Sequence, residues 1–151
     1  MKKVGLLFAL LLALAVGLLL FTSSGPSLPG PLAAVGSDNK LLRQRTTDFL
    51  EDLQYKDFDK AASYHSTEDR KKVDISKLIE RLFAVKPEFL DIMRYEIKSV
   101  EIDRSGDRAK VKTQTVVKIL NTSKIKEPEV IFYWRKDPRE GWVMMLESSL
   151  R

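Results

Sequence analysis

Hydrophobic and polar positions follow three different patterns along this chain. An unbroken apolar run occupies Val4–Phe21. Apolar residues then recur at helical spacing over Ser37–Tyr55 and Asp74–Phe83, with a shorter helix predicted at Phe58–Tyr64 between them. After Asp91 the pattern changes to the alternation that is typical of β-strands. An apolar N-terminal segment is therefore predicted to precede helices and then strands.

Polar and flexible residues mark the boundaries between these elements. Thr22–Gly36 is rich in proline, glycine and serine and is predicted to be an extended linker. His65–Lys72 and Asn121–Glu129 are predicted to be loops, because their residues are mainly polar. Side chains that can cap a helix N-terminus precede each predicted helix; they are Ser37 or Asp38, then Asp57, then Asp74.

Four strands are predicted in the second half of the chain. Tyr95–Ile102 is the first, and a shift of phase near Ser99 indicates a β-bulge. Ala109–Leu120 is the second and has one apolar and one lysine-rich side. Val130–Lys136 and Trp142–Glu147 are predicted to pair as a hairpin. Helices followed by antiparallel strands predict an α+β domain, with the helices on one face of a curved sheet.

The apolar segment Val4–Phe21 decides the predicted compartment. A helix of this length rises about 27 Å, close to the roughly 30 Å hydrocarbon core of a bilayer. Lys2 and Lys3 precede it, which keeps the N-terminus in the cytoplasm and sends the remainder across the membrane. Its length favours a retained anchor; the alternative is a signal peptide cleaved after Ser24 or Gly36.

The chain is thus predicted to divide into an anchor or signal at residues 1–21, a linker at 22–36 and a domain at 37–151. We expect a single-pass protein of a bacterial cytoplasmic membrane, with the domain in the periplasm. Secretion after cleavage is the alternative.

Composition excludes several classes of function. The chain has 151 residues, one histidine, no cysteine and a net charge of +5. Without cysteine there is no disulfide, no thiolate metal site and no lipid-modified N-terminal cysteine. Charges of both signs are mixed along the domain, which predicts a solvated surface and not a nucleic-acid interface. No metal and no cofactor are predicted.

The order of several segments resembles the nuclear transport factor two-like superfamily, the cone-shaped α+β fold shared with ketosteroid isomerase. The similarity covers about residues 37–148 and is closest to the small exported or membrane-anchored bacterial members. Five segments carry it: Thr47–Leu53 and Tyr55–Tyr64 as the opening helices, Val100–Val111 as the first hairpin, and Tyr133–Lys136 with Gly141–Met144 as the closing hairpin.

The resemblance implies a pocket between the helices and the sheet. Some members of the superfamily are enzymes that use an acidic base, others bind small ligands, and others are assembly subunits, so the fold leaves the function open. The inward row of the second strand holds Val111, Thr113, Thr115 and Val117 but no acid. The catalytic positions of the enzymes therefore have no counterpart here, and no catalytic residue is predicted.

Polar residues expected near this pocket are the candidate ligand-binding set. Thr113 and Thr115 lie on an otherwise apolar row, where their hydroxyls could orient a small apolar ligand or simply supply β-branched side chains. His65 could act as a base in the pocket or as a partner of a helix C-terminus. Three tyrosines complete the set: Tyr64, Tyr95 and Tyr133.

Two tryptophans are the candidate interface residues. Trp134 and Trp142 lie on the two strands of the closing hairpin, where they could stabilise it as an aromatic pair. If they are exposed, they mark a partner surface. The sequence favours a non-enzymatic, membrane-tethered binding or assembly module that contacts a protein partner or a second copy of itself. The alternative is a protein that binds a small apolar ligand or isomerises it in the pocket.

Overall fold

The computed structural model describes the backbone of residues 31–145 and the side chains of residues 36–145. The fold discussed below is the unit that begins at Ala34. The apolar segment Val4–Phe21, most of the predicted linker and the last residues of the chain lie outside the described range. Within that range, no helix has both the length and the hydrophobicity that crossing a bilayer requires.

Helices come first and strands follow, as predicted. The helices are α1 (Pro31–Gln54), α2 (Phe58–Ala62), α3 (Thr67–Arg70) and α4 (Ile75–Phe83), followed by a 3-10 turn, η1 (Pro87–Phe89). The strands are β1 (Leu90–Ile102), β2 (Arg108–Ile119), β3 (Lys124–Lys126), β4 (Glu129–Asp137) and β5 (Gly141–Met145). The predicted α+β class, with helices packed on a curved antiparallel sheet, is confirmed.

The five strands form one sheet in the order β1-β2-β4-β5, and β3 also pairs with β2. Both β3 and β4 run beside β2, with Lys126 opposite Val117 and Glu129 opposite Gln114. Pro128 separates them because proline has no N–H to donate to the ladder. Its carbonyl oxygen still accepts the Thr115 N–H at 3.0 Å.

The hydrophobic core lies between the helices and one face of the sheet. On β2 the predicted inward row is buried, and on β4 Phe132 and Trp134 face the same way. Phe49 of α1 meets Phe132 edge to face, with ring centroids 5.6 Å apart. Amphipathic α4 buries Leu78, Ile79 and other apolar residues of one side. Apolar periodicity in the sequence therefore identified the surfaces that meet.

Helix α1 also covers the open edge of the sheet at β1. Three of its side chains donate to backbone carbonyl oxygens of that strand: Asn39 to Val100 at 3.4 Å, Arg43 to Ile97 at 3.2 Å and Gln54 to Ile92 at 2.8 Å. An edge strand otherwise presents unpaired carbonyl groups to other chains. The helix thus fixes its own position along β1 and protects the edge.

Two of the predicted helix caps are confirmed. The carboxylates of Asp57 and Asp74 each accept the backbone N–H three residues on, both at 3.1 Å. The first helix differs, because α1 begins at Pro31 and not at Ser37 or Asp38. Residues 31–36 of the predicted linker are therefore helical. Proline at the first helical position is compatible with this start, because its missing N–H would have no partner there.

Other boundaries also need correction. Helix α2 ends at Ala62 and not at Tyr64, and the predicted loop His65–Lys72 contains α3, whose N-cap Ser66 accepts the Asp69 N–H. β1 begins at Leu90, directly after η1. A bulge at Ile92/Arg94 hid the alternation there, whereas the predicted bulge near Ser99 is confirmed at Ile97/Ser99.

The second predicted loop is the last correction. Asn121–Glu129 contains β3, which pairs with Val117–Ile119. Its three residues are exposed, and one apolar residue between two lysines, Ile125, is too short a pattern to identify a strand in a sequence.

Candidate functional site

The helix-facing side of the sheet is closed. Three of the candidate ligand-binding residues lie there with no exposed surface: His65, Thr113 and Thr115. Phe49, Phe132 and other large apolar side chains pack around them, also without exposed surface. A ligand could reach these candidates only if the core repacked. The predicted pocket is therefore filled by the protein's own side chains in this structure.

His65 joins the helical layer to the sheet. The His65 backbone pairs with Met144 in a parallel β-bridge, and the Met144 N–H donates to the Tyr64 carbonyl oxygen at 2.8 Å. The ring Nδ1 lies 3.2 Å from the Ala62 carbonyl oxygen, which assigns the proton to Nδ1. Nε2 has no hydrogen-bond partner among the described residues. Burial lowers the pKa of His65, so the ring is held neutral.

The two threonines differ in what their hydroxyl groups do. Thr115 Oγ1 donates to the Pro128 carbonyl oxygen at 2.9 Å and so holds the break between β3 and β4. Thr113 Oγ1 is buried and has no partner within the described part of the chain. The Thr115 hydroxyl therefore has a structural role, and only Thr113 retains an unused polar atom.

The three candidate tyrosines do not converge. Tyr64 follows α2, and burial and the neighbouring Asp52 carboxylate raise the pKa of its hydroxyl. The guanidinium carbon of Arg45 lies 5.4 Å from the Tyr64 ring centroid. Tyr95 is half-buried opposite Thr115, and burial raises its pKa as well. Tyr133 lies on the opposite face of the sheet. The six predicted residues thus do not form one site.

Both tryptophans belong to the core, so they do not form an exposed partner surface. Trp134 is 0% and Trp142 2% exposed. The partner of Trp134 across the hairpin is Met144, and that of Trp142 is Lys136, so the indoles are not directly opposed. The Lys136 ammonium lies 5.6 Å from the Trp142 ring centroid and 2.8 Å from the Asp38 carboxylate. Lys136 is the first cause of a lowered pKa at Asp38.

An accessible recess lies on the outer face of the sheet, away from the helices. Its volume is about 470 Å³, within the range of roughly 300–1,000 Å³ for small-ligand pockets. It crosses four strands, and one cross-strand row runs through it: Glu101 on β1, Lys110 on β2, Tyr133 on β4 and Met145 on β5. Arg108 and Asp103 line one end.

Charges of both signs surround this outer-face recess. The Lys110 ammonium lies 5.9 Å from the Tyr133 ring centroid. Asp103 accepts a hydrogen bond from the Ser105 hydroxyl at 2.7 Å, which is the main cause of its lowered pKa. Two exposed arginines lie directly opposite each other, Arg108 on β2 and Arg135 on β4. The outer-face recess can therefore present cations and an aromatic ring to a ligand, beside carboxylates that limit how much negative charge can enter.

Comparison with known proteins gives no further assignment: no family model, no curated protein and no solved structure matches this chain. Over the described residues, no group of three or more histidine, aspartate or glutamate side chains is arranged to hold a metal ion. A functional proposal therefore rests on the sequence and on the geometry of this chain.

The outer-face recess was not predicted from the sequence; of the residues that line it, Tyr133 was a ligand-binding candidate and Trp134 an interface candidate. The lysine-rich side predicted for β2 includes Lys110 and Lys112, and it does face away from the core. Their arrangement around a concavity depends on the pairing of β2 with β4. Basic residues alternate along β2 in the sequence, but only the pairing of β2 with β4 shows that they lie around a concavity.

Proposed function

We propose that this chain is a non-enzymatic binding or assembly module, tethered by Val4–Phe21 to the outer face of a bacterial cytoplasmic membrane. In this proposal the domain is an exported member of the nuclear transport factor two-like superfamily that contacts a protein partner or a second copy of itself. The order of its helices and antiparallel strands supports the family assignment.

One observation carries the non-enzymatic part of the proposal. His65, Thr113 and Thr115 have no exposed surface on the helix-facing side, and Phe49 and Phe132 fill the space around them. A substrate pocket would need accessible polar groups there. The alternative, a small-ligand carrier or isomerase that uses the pocket between the helices and the sheet, would need these buried residues to become accessible.

Two experiments test the proposal. The first is membrane fractionation with alkaline extraction, together with mass spectrometry of the mature N-terminus. The tether predicts an intact Val4–Phe21 segment in the extracted membrane. A soluble protein that starts at Gly25 or Ser37 would refute it.

The second experiment removes the polar atoms of the closed side. A His65→Leu/Thr113→Val double variant is expected to remain folded and to restore function in a deletion strain. Thr115→Val is the matched control for the loss of a buried hydroxyl, because the hydroxyl that it removes has a hydrogen-bond partner within the fold. Loss of function in the double variant, with unchanged tryptophan fluorescence and unfolding midpoint, would favour the ligand or enzyme hypothesis.

A further inference from the structure

The outer face of the sheet contains an unfavourable charge pair beside the outer-face recess. Arg108 and Arg135 are direct partners in the antiparallel register of β2 and β4. Like charges that are directly opposed across strands destabilise a sheet. Neither arginine forms an ion pair with a described residue. The register therefore places two cations on facing positions, and within the described part of the chain no carboxylate lies at ion-pair distance from either of them.

The nearest acids do not resolve this pair. Asp137 follows Arg135 on the same strand, but its Oδ1 accepts the N–H groups of Arg139 and Glu140 at 2.8 and 3.1 Å. These two bonds are the main causes of its lowered pKa; Arg135 also lowers it through space. Asp103 is similarly bonded within the β1–β2 turn. Both carboxylates hold turns and neither lies at ion-pair distance from Arg108 or Arg135, so both guanidinium groups can bind an external anion.

A third cation extends the positive surface into the outer-face recess. Lys110 follows Arg108 on the same side of β2 and forms no ion pair with a described carboxylate, although Glu101 is its partner in register. Its ammonium lies over the Tyr133 ring. Arg108 and Lys110 line the recess, and Arg135 faces Arg108 on the neighbouring strand; these three residues are the outer-face cations. The Met145 side chain and the Tyr133 ring give the recess an apolar part.

We propose that the outer-face recess binds an acidic, partly apolar peptide segment of a protein partner, with a carboxylate between Arg108 and Arg135. A carboxylate matches the planar guanidinium fork and relieves the repulsion of the pair. This inference rests on the proposed function and deepens it, because it names the surface and the chemistry of the partner.

The geometry favours a peptide over a lipid bilayer. A flat membrane surface cannot enter a recess of about 470 Å³, whereas a few side chains can. Glu101 and Asp103 also line the recess, and they would repel a uniformly anionic surface. A segment with separated carboxylates can place each one beside a cation and its apolar side chains in the recess.

The test uses the full chain in nonionic micelles and fluorescence anisotropy with labelled decapeptides. Alternating Glu/Leu is the probe, and alternating Gln/Leu is the uncharged comparison. We expect the acidic peptide to bind, and Arg108→Gln/Arg135→Gln to weaken it by about tenfold or more. The matched control is Lys71→Gln/Arg81→Gln, which removes the same charge from exposed sites on the helical side. The control is expected to change affinity by less than about twofold.

Folding is checked separately. The Arg108→Gln/Arg135→Gln variant should unfold at a midpoint no lower than that of the wild type, because a repulsive pair is removed. A lower midpoint would contradict the argument from charge repulsion.

Several results would overturn the proposal: no binding of the acidic peptide, equal binding of the Gln/Leu peptide, or equal weakening in the control variant. Complete displacement by millimolar inorganic phosphate would indicate a simple anion site. Binding to phosphatidylglycerol vesicles that depends on Arg108 and Arg135, without peptide binding, would identify a lipid surface. Peptide binding by a protein that fractionates as soluble would refute the tether alone. Absence of binding by a membrane-retained protein would refute only this inference.

Discussion

Acidification should destabilise the domain through one buried side chain, His65. Its Nδ1 is 3.2 Å from the Ala62 carbonyl oxygen, and its Nε2 has no partner among the described residues. Burial lowers the pKa of the imidazole, and Arg70 lowers it slightly further. The Ala62 carbonyl and the charge of Asp69 act in the opposite direction but do not overcome burial. The folded state therefore accepts a proton on His65 less readily than the unfolded chain does.

The direction and size of the effect follow from this difference. The unfolded histidine has a pKa of about 6.5, so its contribution to stability is fully present above that pH. As pH falls toward the lower folded pKa, the unfolded state binds the proton first and stability is lost. The slope cannot exceed about 1.4 kcal/mol per pH unit. Acidification from about pH 6.5 to about pH 5 can therefore remove up to about 2 kcal/mol.

Few other side chains titrate in this window. The chain has one histidine and no cysteine. The carboxyl groups with lowered pKa, such as Asp38 and Asp74, stabilise the fold above an unfolded pKa of about 4 and lose that contribution only in more acidic solution. The interval between pH 5 and 6.5 therefore isolates His65.

Denaturant unfolding of the full-length chain in nonionic detergent measures the effect. The two tryptophans of the chain, Trp134 and Trp142, are both buried, so their fluorescence reports unfolding of this domain. The control is His65→Leu, which keeps apolar volume and cannot titrate. Its stability should be nearly constant over the window. An equal slope in wild type and variant would refute the assignment to His65, and a flat wild-type profile would contradict its burial.

Three further predictions concern the core and the helix ends, and denaturant unfolding at pH 7.5 checks each of them. Thr113→Val should leave the free energy of unfolding unchanged or raise it, because the Thr113 hydroxyl has no described partner. Thr115→Val should lower it by about 1–2 kcal/mol, because the Pro128 carbonyl oxygen loses a donor. The opposite order would contradict the hydrogen-bond assignment. Phe49→Ala should cost about 3–5 kcal/mol, since its ring meets Tyr64, His65 and Phe132, and a cost below about 1 kcal/mol would show that the core repacks. Ala84→Gly should raise the free energy of unfolding by up to about 1 kcal/mol, because exposed Ala84 follows α4 in the left-handed region at φ 50°. A lower free energy of unfolding would contradict that backbone conformation.

Local patterns predicted much of the fold because they depend on neighbouring residues. The inward row of β2 follows from a period of two, and the apolar face of α4 follows from a period near 3.6. Asp57 and Asp74 were identified as caps because a cap needs only a side-chain oxygen and an N–H three residues on. Errors arose where the local pattern was weak, as in exposed β3 or in bulged β1.

The candidate site was harder to predict, because membership of a site depends on distant contacts. Thr113 and Thr115 look alike in the sequence, yet only Thr115 meets the Pro128 carbonyl oxygen. His65 looked like a helix-end residue, but its segment adds to the edge of β5. Tyr133 shares its face with Lys110 and not with the other tyrosines.

By itself, the sequence determined the class of the fold, the side of each long strand that is buried and the presence of an apolar segment at Val4–Phe21, because each of these depends on local composition and period. Only the tertiary structure decided which surfaces remain accessible. Packing of Phe49 against Phe132 closes the helix-facing side, and the register of β2 with β4 brings Arg108 opposite Arg135. These long-range contacts move the candidate binding surface from the inside of the fold to its outer face.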